Sequence, residues 1–249
     1  MIVLEKELSK PYEMLDMVTT PDGSLVAMVH CNNCTSDINA WVKIFKEYTA
    51  LLGVELDTFT LYSNLFNAAL KGDADCGGVI SYNYISGEPV TGLMDGRPLF
   101  VRSANDKFNL ANFMRAHLYG AIGVLKLGND ILFNEEHVKV DRIMGHGGYF
   151  TTPVVGQRML AAALNTPISV METAGEGGAW GIALLAAYVV NNEKKLSLAD
   201  YLDQVVFAGN TGTEVSPDPD DVIGFNKYIE NYKTALPIEE AAVKYKKQD

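Results

Sequence analysis

The distribution of apolar residues in the first third of the chain predicts strands followed by helices. Three short segments rich in Val, Leu and Met, at 2–6, 13–20 and 25–31, are separated by turn-forming residues. The separator at 21–23, Pro-Asp-Gly, is typical of a tight turn between antiparallel strands. The pattern therefore predicts a β-meander at the start of the chain.

Two amphipathic segments follow this meander. In segment 35–53 apolar residues recur at helical spacing, the polar cluster at 35–37 can cap a helix, and Gly53 can end it. The second segment covers 57–71 and stops at Gly72. We expect two helices here. The residues predicted to share one face of the first helix are Ile38, Trp41, Ile44, Phe45 and Tyr48.

Strand and helix patterns alternate through the middle of the chain. A meander followed by such alternation predicts an α/β layered domain. The expected segments are a buried strand and its Gly/Pro-rich loop within 77–92, a long helix over 109–132, a strand leading into a loop over 137–148, a helix over 153–164 and a strand over 167–172.

Three later segments are expected to differ in burial. Segment 178–192 is apolar on nearly every side, which predicts a buried helix. Segment 225–247 carries many charges and is typical of one or two solvated terminal helices. The run Asp218, Asp220 and Asp221 could suggest a metal site, but prolines between the aspartates favour a solvated turn.

Charge and composition argue against two classes of partner and favour one compartment. The formal net charge of −11 disfavours nucleic acid and anionic lipid as partners. The longest apolar run, 179–190, is shorter than the roughly 20 residues that span a bilayer. The N-terminus has no signal-type apolar segment, and three cysteines are too few for a disulfide scaffold, so we expect a cytoplasmic protein.

A glycine pair just before a predicted helix is the main candidate for a binding site. Gly147 and Gly148 end a strand pattern, while Thr152 can cap the helix and Pro153 suits its first position. Without Cβ atoms the pair lets another molecule lie against the main chain, and a helix N-terminus offers free N–H groups to an anion. A nucleotide fits this description, although a plain loop is the alternative.

The order of motifs around this pair resembles the C-terminal domain of the FGGY family of carbohydrate kinases. In that family a glycine pair leads through Pro and Gln to a strand and then to a helix of small residues. The residues that take these places here are Gly147, Gly148, Pro153, Gln157, Pro167, Glu176, Ala179, Trp180 and Gly181.

Other segments occur in the same order as in the family. Segment 80–89, "ISYNYISGEP", resembles the family's strand and Ser-Gly-Glu loop, and the helix pattern beginning at 109 resembles the helix after that loop. Segment 215–236 resembles the closing P-D-P…Y…Y segment. The resemblance therefore runs over nearly the whole chain.

The resemblance implies a fold and a reaction. Family members have an actin-like ATPase (ribonuclease H-like) fold, with a mixed β-sheet and helices on both faces. Residues 1–249 would form one C-terminal nucleotide-binding domain, and its partners would be an N-terminal sugar-binding kinase domain and a sugar substrate. The implied reaction is phosphoryl transfer to a ketopentose or a related sugar or polyol, with ATP and Mg²⁺ as cofactors. Homodimers are also common in the family.

The resemblance also implies the nucleotide-binding residues. Gly147 and Gly148 match glycines that contact adenosine, and Thr152 matches a residue that faces the adenine. Ser36 and Asn39 lie near the segment that closes the other side of the base. We assign no catalytic residue and no metal ligand, because the family's phosphate loop, catalytic aspartate and Gly-Thr-Ser segment have no counterpart in this sequence.

Two other functions stay open at this point. Pro89 stands where relatives usually have Arg, and Trp180 where they have Leu, which leaves room for a non-catalytic actin-like module that binds a nucleotide or a partner. Cys31 and Cys34 form a C-x-x-C pattern that could indicate redox or zinc chemistry, but one pair alone favours a structural role.

Two further residues have simpler interpretations. We expect Glu88 to order its own loop rather than to act as a base. We expect His146 to be a loop residue without a functional role, and a contact to phosphate is the less favoured alternative.

Overall fold

The structure is a computed structural model of the chain, and it describes residues 1–171, 177–192, 195–209 and 212–245. Short strands alternate with longer helices, so that the predicted α/β class is confirmed. Within the described ranges, no helix combines the length and the apolar character that crossing a membrane requires.

The N-terminal meander forms as predicted. Strands β1 (Ile2–Val3), β2 (Asp16–Thr19) and β3 (Leu25–Met28) make an antiparallel sheet in the order β1-β3-β2. The Pro-Asp-Gly turn joins β2 to β3, and Gly23 in that turn has a φ of +92°. Glycine is favoured there because side chains with a Cβ rarely adopt this conformation.

Both amphipathic segments are helices, α1 (Ser36–Leu51) and α2 (Thr58–Ala69). The predicted apolar face of α1 is only partly right. Ile38 is buried, whereas Ile44 and Tyr48 are 53% and 58% exposed. The part of the helix surface that turns toward the core lies to one side of the predicted stripe, so these two side chains face solvent.

The middle of the chain supplies a hairpin and the longest buried helix. Strands β4 (Ile80–Tyr82) and β5 (Leu99–Val101) pair antiparallel, and the loop between them holds the Ser-Gly-Glu segment. Helix α3 (Leu110–Asp130) begins at Asn109, whose side chain accepts a hydrogen bond from the Asn112 N–H. Most of the first four turns of α3 are buried, and this helix forms the centre of the core.

The mixed pairing that the resemblance implies occurs in the third sheet. Strands β6 (Ile143–Gly145) and β7 (Ile168–Val170) are parallel and joined through α4 (Val155–Leu164), while β8 (Thr213–Val215) pairs antiparallel with β7. Gln157 ties α4 to both neighbouring strands. Its side-chain amide donates to main-chain carbonyl oxygens of β7 and β8, at 3.0 and 2.9 Å.

The apolar segment that was predicted to be a buried helix is a helix but is not buried. Helix α5 (Gly177–Asn191) has no buried residue, and Ile182, Val189 and Val190 are each more than 70% exposed. No described residue between 169 and 224 belongs to the main hydrophobic cluster. The prediction was wrong because an apolar sequence shows what a helix can bury, whereas burial requires an element to cover it. A short helix, α6 (Leu198–Tyr201), follows α5.

The C-terminal segment is more buried than predicted. Helix α7 (Pro219–Lys244) packs one aromatic face into the core, and Phe225, Tyr228 and Tyr232 are at most 1% exposed. The run of aspartates begins this helix instead of forming a solvated turn. The Asp218 side chain accepts hydrogen bonds from the main-chain N–H groups of the next two aspartates, and such an N-cap stabilises the helix start.

Candidate functional site

The four glycines around the start of α4 fall into two groups. A Cβ at Gly145 would lie 2.7 Å from the Phe150 ring, and a Cβ at Gly156 would lie 2.3 Å from the Tyr149 carbonyl oxygen. These two glycines are required by packing. A Cβ at Gly147 or Gly148 would meet no atom within 4 Å. The predicted glycine pair therefore borders open space.

The two members of the pair differ in backbone conformation. Gly147 has φ +94° and ψ −178°, a combination that is almost restricted to glycine. Gly148 begins a short 3₁₀ turn, Gly148–Phe150, with no positive φ, so neither its backbone nor its neighbours require glycine. Of the two, only Gly148 has no explanation within the described part of the chain.

The helix after the pair begins later than predicted. Thr152 and Pro153 precede α4, which starts at Val155, and Val154 occupies the N-cap position with φ +70°. The 3₁₀ turn Gly148–Phe150 comes first, and the α-helix therefore begins only at Val155. Thr152 is 3% exposed, so the structure buries this predicted nucleotide contact instead of presenting it on the surface of the loop.

The other two predicted nucleotide contacts lie on the exposed side of α1. Ser36 is the first residue of the helix and is exposed. Asn39 is also exposed, and its side-chain oxygen accepts a hydrogen bond from the Tyr62 hydroxyl at 2.7 Å. Its amide NH₂ has no acceptor among the described residues, so Asn39 still offers a donor on this surface.

The side chain that directly follows the glycine pair, Tyr149, is buried in the core. Burial raises the pKa of the Tyr149 phenol well above its ordinary value, and the Cys34 thiol raises it further. The phenol donates to the Leu118 carbonyl oxygen at 3.0 Å, which anchors the loop on α3. Tyr149 directly follows Gly148, and Cys34 lies two residues before Ser36.

The Ser-Gly-Glu loop is fastened to the segment that leads into α1. Glu88 is 1% exposed, and its carboxylate accepts hydrogen bonds from the main-chain N–H groups of Asn32 and Asn33 and from the Asn33 side chain. Asn33 in turn accepts from the Ser86 N–H at 2.9 Å and donates to the Ser86 carbonyl oxygen. The expectation that Glu88 orders its loop agrees with these contacts.

The C-x-x-C pair lies in this hydrogen-bonded segment, where the surroundings of Cys31 disfavour its thiolate form. Burial, followed by the nearby Glu88 charge, raises the pKa of the Cys31 thiol to about 12. A reactive or metal-binding cysteine needs a lowered pKa, because the thiolate is the reacting species. Both cysteines are free, and the arrangement supports the structural interpretation.

A cavity of about 550 Å³ opens between the end of β6 and helix α5. His146, directly before the glycine pair, lines one wall, and Trp180 and Gly181 line the other. The Trp180 indole N–H is buried and has no partner among the described residues. The glycine pair does not line this cavity itself. Glu176, which the resemblance places at the start of this helix, lies outside the described residues.

Sequence reasoning missed a buried charge cluster between α3, α4 and α7. Asp221 accepts hydrogen bonds from both Arg115 and Arg158, and the Arg115 and Asp221 side chains are 2% and 4% exposed. The two guanidinium groups lower the pKa of Asp221 against the opposing effect of burial. An arginine inside the otherwise apolar stretch of α3 is the signal that could have revealed the cluster, since buried charges are paired.

An open glycine loop thus lies between a parallel strand and a helix of this α/β domain. The sequence matches the FGGY family of carbohydrate kinases, C-terminal domain, over residues 1–190. Because this match covers most of the chain, the chain belongs to the FGGY family of carbohydrate kinases, as a C-terminal domain of that family. A comparison with curated protein sequences found no match.

Solved structures show the same fold at low identity. The ligand-bound xylulose kinase from Lactobacillus acidophilus is 17% identical with a TM-score of 0.70, and the match covers 95% of this chain and 45% of that one. The xylulose kinase from Rhodospirillum rubrum is 18% identical with a TM-score of 0.61, and the match covers 92% of this chain and 44% of that one. The glycerol kinase from Plasmodium falciparum, solved with ADP, is 16% identical with a TM-score of 0.61, and the match covers 90% of this chain and 42% of that one.

These similarities establish the fold of the chain and show how its length compares with that of the three relatives. The actin-like ATPase fold that FGGY kinases have is confirmed for this chain. The chain spans less than half the length of each of these three relatives. More than half of each relative therefore lies outside the part that this chain matches.

Proposed function

We propose that this chain is the nucleotide-binding half of an ATP-dependent sugar kinase. The observation that carries the proposal is the open space at Gly148, where neither backbone strain nor a neighbouring atom calls for glycine. A ligand that lies against the main chain does call for it. Membership of a carbohydrate kinase family supplies the class of ligand, a nucleotide.

The proposed nucleotide contacts come from two neighbouring segments. Gly147 and Gly148 would support the adenosine on bare main chain. Ser36 and Asn39 would close the opposite side of the base, Asn39 with its amide NH₂. Thr152 is buried and would hold the loop in place rather than touch the base.

We expect Mg²⁺ to be bound through the nucleotide rather than by a cage of protein side chains. In the ranges that the structure describes, no group of three or more His, Cys, Asp or Glu side chains could hold a metal ion. Mg²⁺ is usually held by substrate phosphates together with one or two carboxylates. ATP would supply the transferable phosphoryl group, and this chain's part is to hold its adenosine end.

We propose that helix α5 and its cavity dock the N-terminal kinase domain. The helix has no buried residue and carries no charged side chain. A Cβ at Gly178 or Gly181 would meet no described atom within 4 Å, so both positions would allow another chain segment to approach closely. Large exposed apolar surfaces of this kind mark interaction sites. The greater length of the relatives supports a covering domain.

The N-terminal domain would bind the sugar acceptor and would supply the acid–base chemistry. Two of the three similar structures are described as xylulose kinases, which supports a ketopentose or a related sugar or polyol as the substrate. We propose that the carboxylate that activates the sugar hydroxyl lies in the N-terminal domain, and that this chain alone has no turnover. We also propose a cytoplasmic location, since all three cysteines are free.

Calorimetric titration with a non-hydrolysable ATP analogue and Mg²⁺ tests the proposal. We expect the chain to bind the analogue, and Gly148→Val to weaken binding at least about tenfold, a loss of roughly 1.4 kcal/mol. Gly178→Val is the matched control, because it adds the same side chain at another open glycine with an ordinary φ. Circular dichroism should show both variants folded.

Each other outcome of this titration has a defined meaning. Unchanged binding by Gly148→Val would overturn the site. No binding of any nucleotide by the unmodified chain would overturn the nucleotide-binding function and favour a non-catalytic module that binds a partner. Robust sugar-dependent ATP hydrolysis by the chain alone would show that its own residues supply the acid–base chemistry.

A further inference from the structure

A second cavity, of about 360 Å³, lies where the C-terminal ends of α3 and α4 meet the first turns of α7. Its volume is within the usual range of small-molecule sites, about 300–1,000 Å³. The glycine pair precedes the N-terminal end of α4, and this cavity lies at the other end, about 15 Å away along a helix of 10 residues. It shares no described lining residue with the cavity beside α5. It is therefore separate from the nucleotide site and from the docking surface.

Three asparagine side chains from three different elements line this second cavity, which we call the asparagine cavity. Asn134 lies in the turn that follows α3 (Ile131–Glu135), Asn165 is the C-cap of α4, and Asn226 lies on α7. All three are exposed, and their side-chain amides have no hydrogen-bond partner among the described residues. Each amide carries two donor hydrogens and an acceptor oxygen, so the three groups suit a ligand that needs both donors and acceptors.

Local structure explains only one of these asparagines. Asn165 has φ +48°, a left-handed conformation that asparagine adopts more readily than most residues, and it ends α4 there. Asn226 lies inside α7, where asparagine is a weaker helix former than Ala, Leu or Lys. The Asn134 side chain makes no hydrogen bond that would stabilise its own turn. A ligand in the cavity accounts for the amides of Asn134 and Asn226.

The charges that line the asparagine cavity cancel each other. Lys126 and Asp130 lie one turn apart on α3 and form a salt bridge, with side chains 15% and 29% exposed. They are the only charged side chains among the described residues that line the cavity. An anion or a metal ion would need an unpaired charge of opposite sign, whereas a neutral ligand can form hydrogen bonds with the pair and leave it intact. The lining therefore favours a neutral ligand that is rich in hydrogen-bonding groups.

We propose that the asparagine cavity binds a neutral monosaccharide or polyol. A hydroxyl group both donates and accepts hydrogen bonds, as an amide does, so Asn134 and Asn226 can each pair with hydroxyl groups of the ligand. Phe133, Val138 and Val140 supply apolar surface for its C–H groups. Because the cavity lies at the opposite end of α4 from the proposed nucleotide site, its ligand is an effector and not the phosphoryl acceptor. Binding in the cavity does not itself require a nucleotide.

Two-dimensional ¹H–¹⁵N NMR of the full chain, titrated with xylitol, tests the proposal. NMR locates the bound ligand, whereas a gain in thermal stability does not, because polyols at high concentration stabilise proteins without binding to a site. We expect saturable shifts of the side-chain NH₂ signals of Asn134 and Asn226, with a dissociation constant of roughly 1–10 mM for a ligand of this size. The same shifts should appear when a saturating ATP analogue is present, because the two sites are separate.

A double variant tests the two asparagines directly. Asn134→Ala/Asn226→Ala should raise the dissociation constant for xylitol at least about tenfold. Both side chains are exposed and have no described partner, so the fold should stay intact, which circular dichroism checks. Asn105→Ala is the matched control, because it removes an exposed asparagine amide that does not line the cavity and should leave binding unchanged.

Inorganic phosphate tests the class of the ligand. It should not shift the signals of Asn134 and Asn226 in the concentration range where xylitol does, because Lys126 is already paired with Asp130. Stronger binding of phosphate than of xylitol at these signals would overturn the assignment to a neutral ligand. The site itself would be overturned by the absence of saturable shifts up to about 100 mM xylitol, by shifts confined to other residues, or by unchanged binding in the double variant.

Discussion

The Glu88 carboxylate is held by Asn33, which donates to Glu88 Oε1 both from its side chain at 2.7 Å and from its main-chain N–H at 3.1 Å. This contact joins the Ser-Gly-Glu loop to the segment before α1, two pieces of chain 55 residues apart. It thereby fixes the entry to the helix on which Ser36 and Asn39 lie. A residue that a family motif marks for function thus has a clear positioning role.

Replacing Glu88 should loosen this junction. Glu88→Gln puts an NH₂ donor where the buried carboxylate accepts main-chain N–H groups, and we expect the free energy of unfolding to fall by about 2–3 kcal/mol. Urea denaturation measures the loss. Glu13→Gln, at an exposed glutamate, is the control and should change stability by less than roughly 0.5 kcal/mol. Equal effects of the two substitutions would contradict the role of Glu88.

In the buried charge cluster, substitutions of the adjacent residues Asp221 and Asp220 should have very different effects on stability. Asp221→Asn leaves Arg115 buried without its counter-charge, so we expect a loss of about 3–5 kcal/mol. Asp220→Asn changes an exposed aspartate one residue away and should have little effect. Thermal and urea unfolding of the two variants measure the difference. Similar stability of both would show that the Asp221–Arg115 pair is not important for folding.

The stability of the protein should depend on pH through the ionisation of Glu239. This side chain is fully buried, and it accepts the Arg97 N–H at 2.7 Å through one oxygen while the other has no described partner. Burial raises the pKa of its carboxyl from 4.5 to about 7. The folded state therefore holds a proton that the unfolded state releases, and this contribution to stability is lost as the pH rises from about 4.5 to 7.

Glu239→Gln should remove that dependence. Glutamine stays neutral at every pH, so we expect the variant to be more stable than the unmodified chain at pH 8, by roughly 1–3 kcal/mol, and similar at pH 4.5. Urea unfolding at a series of pH values measures both curves. A parallel pH dependence in the two proteins would disprove the assignment to Glu239.

The three cysteines should be free thiols, and Cys31 should react slowly. With a pKa near 12 the Cys31 thiol stays protonated at neutral pH, which makes it a poor nucleophile. A thiol titration of the unfolded chain should give three thiols with or without prior reductant treatment. A count that rises by two after reduction would reveal a disulfide between Cys31 and Cys34 and would restore the redox interpretation.

The candidate site was predictable in part. The glycine pair could be found in the sequence because the requirement for bare main chain is local, and its order with Pro153 and Gln157 pointed to the family. The start of α4 could not be placed, because the 3₁₀ turn after Gly148 depends on Tyr149 and Phe150 packing against glycines on either side. The burial of Thr152 follows from the same packing and could not be predicted from the capping pattern.

By itself, the sequence determined the order of most strands and helices, the tight turn at Gly23 and the family of the chain, because spacing and turn chemistry act between residues that are close in the chain. It did not reveal the short strands β5 and β8, which are defined by pairing with distant strands. Only the tertiary structure decided which side of α1 is covered, that α5 is left uncovered, and that Asp221 meets Arg115 across 106 residues. A local pattern shows which side chains could be buried. Contacts between distant segments decide which of them are.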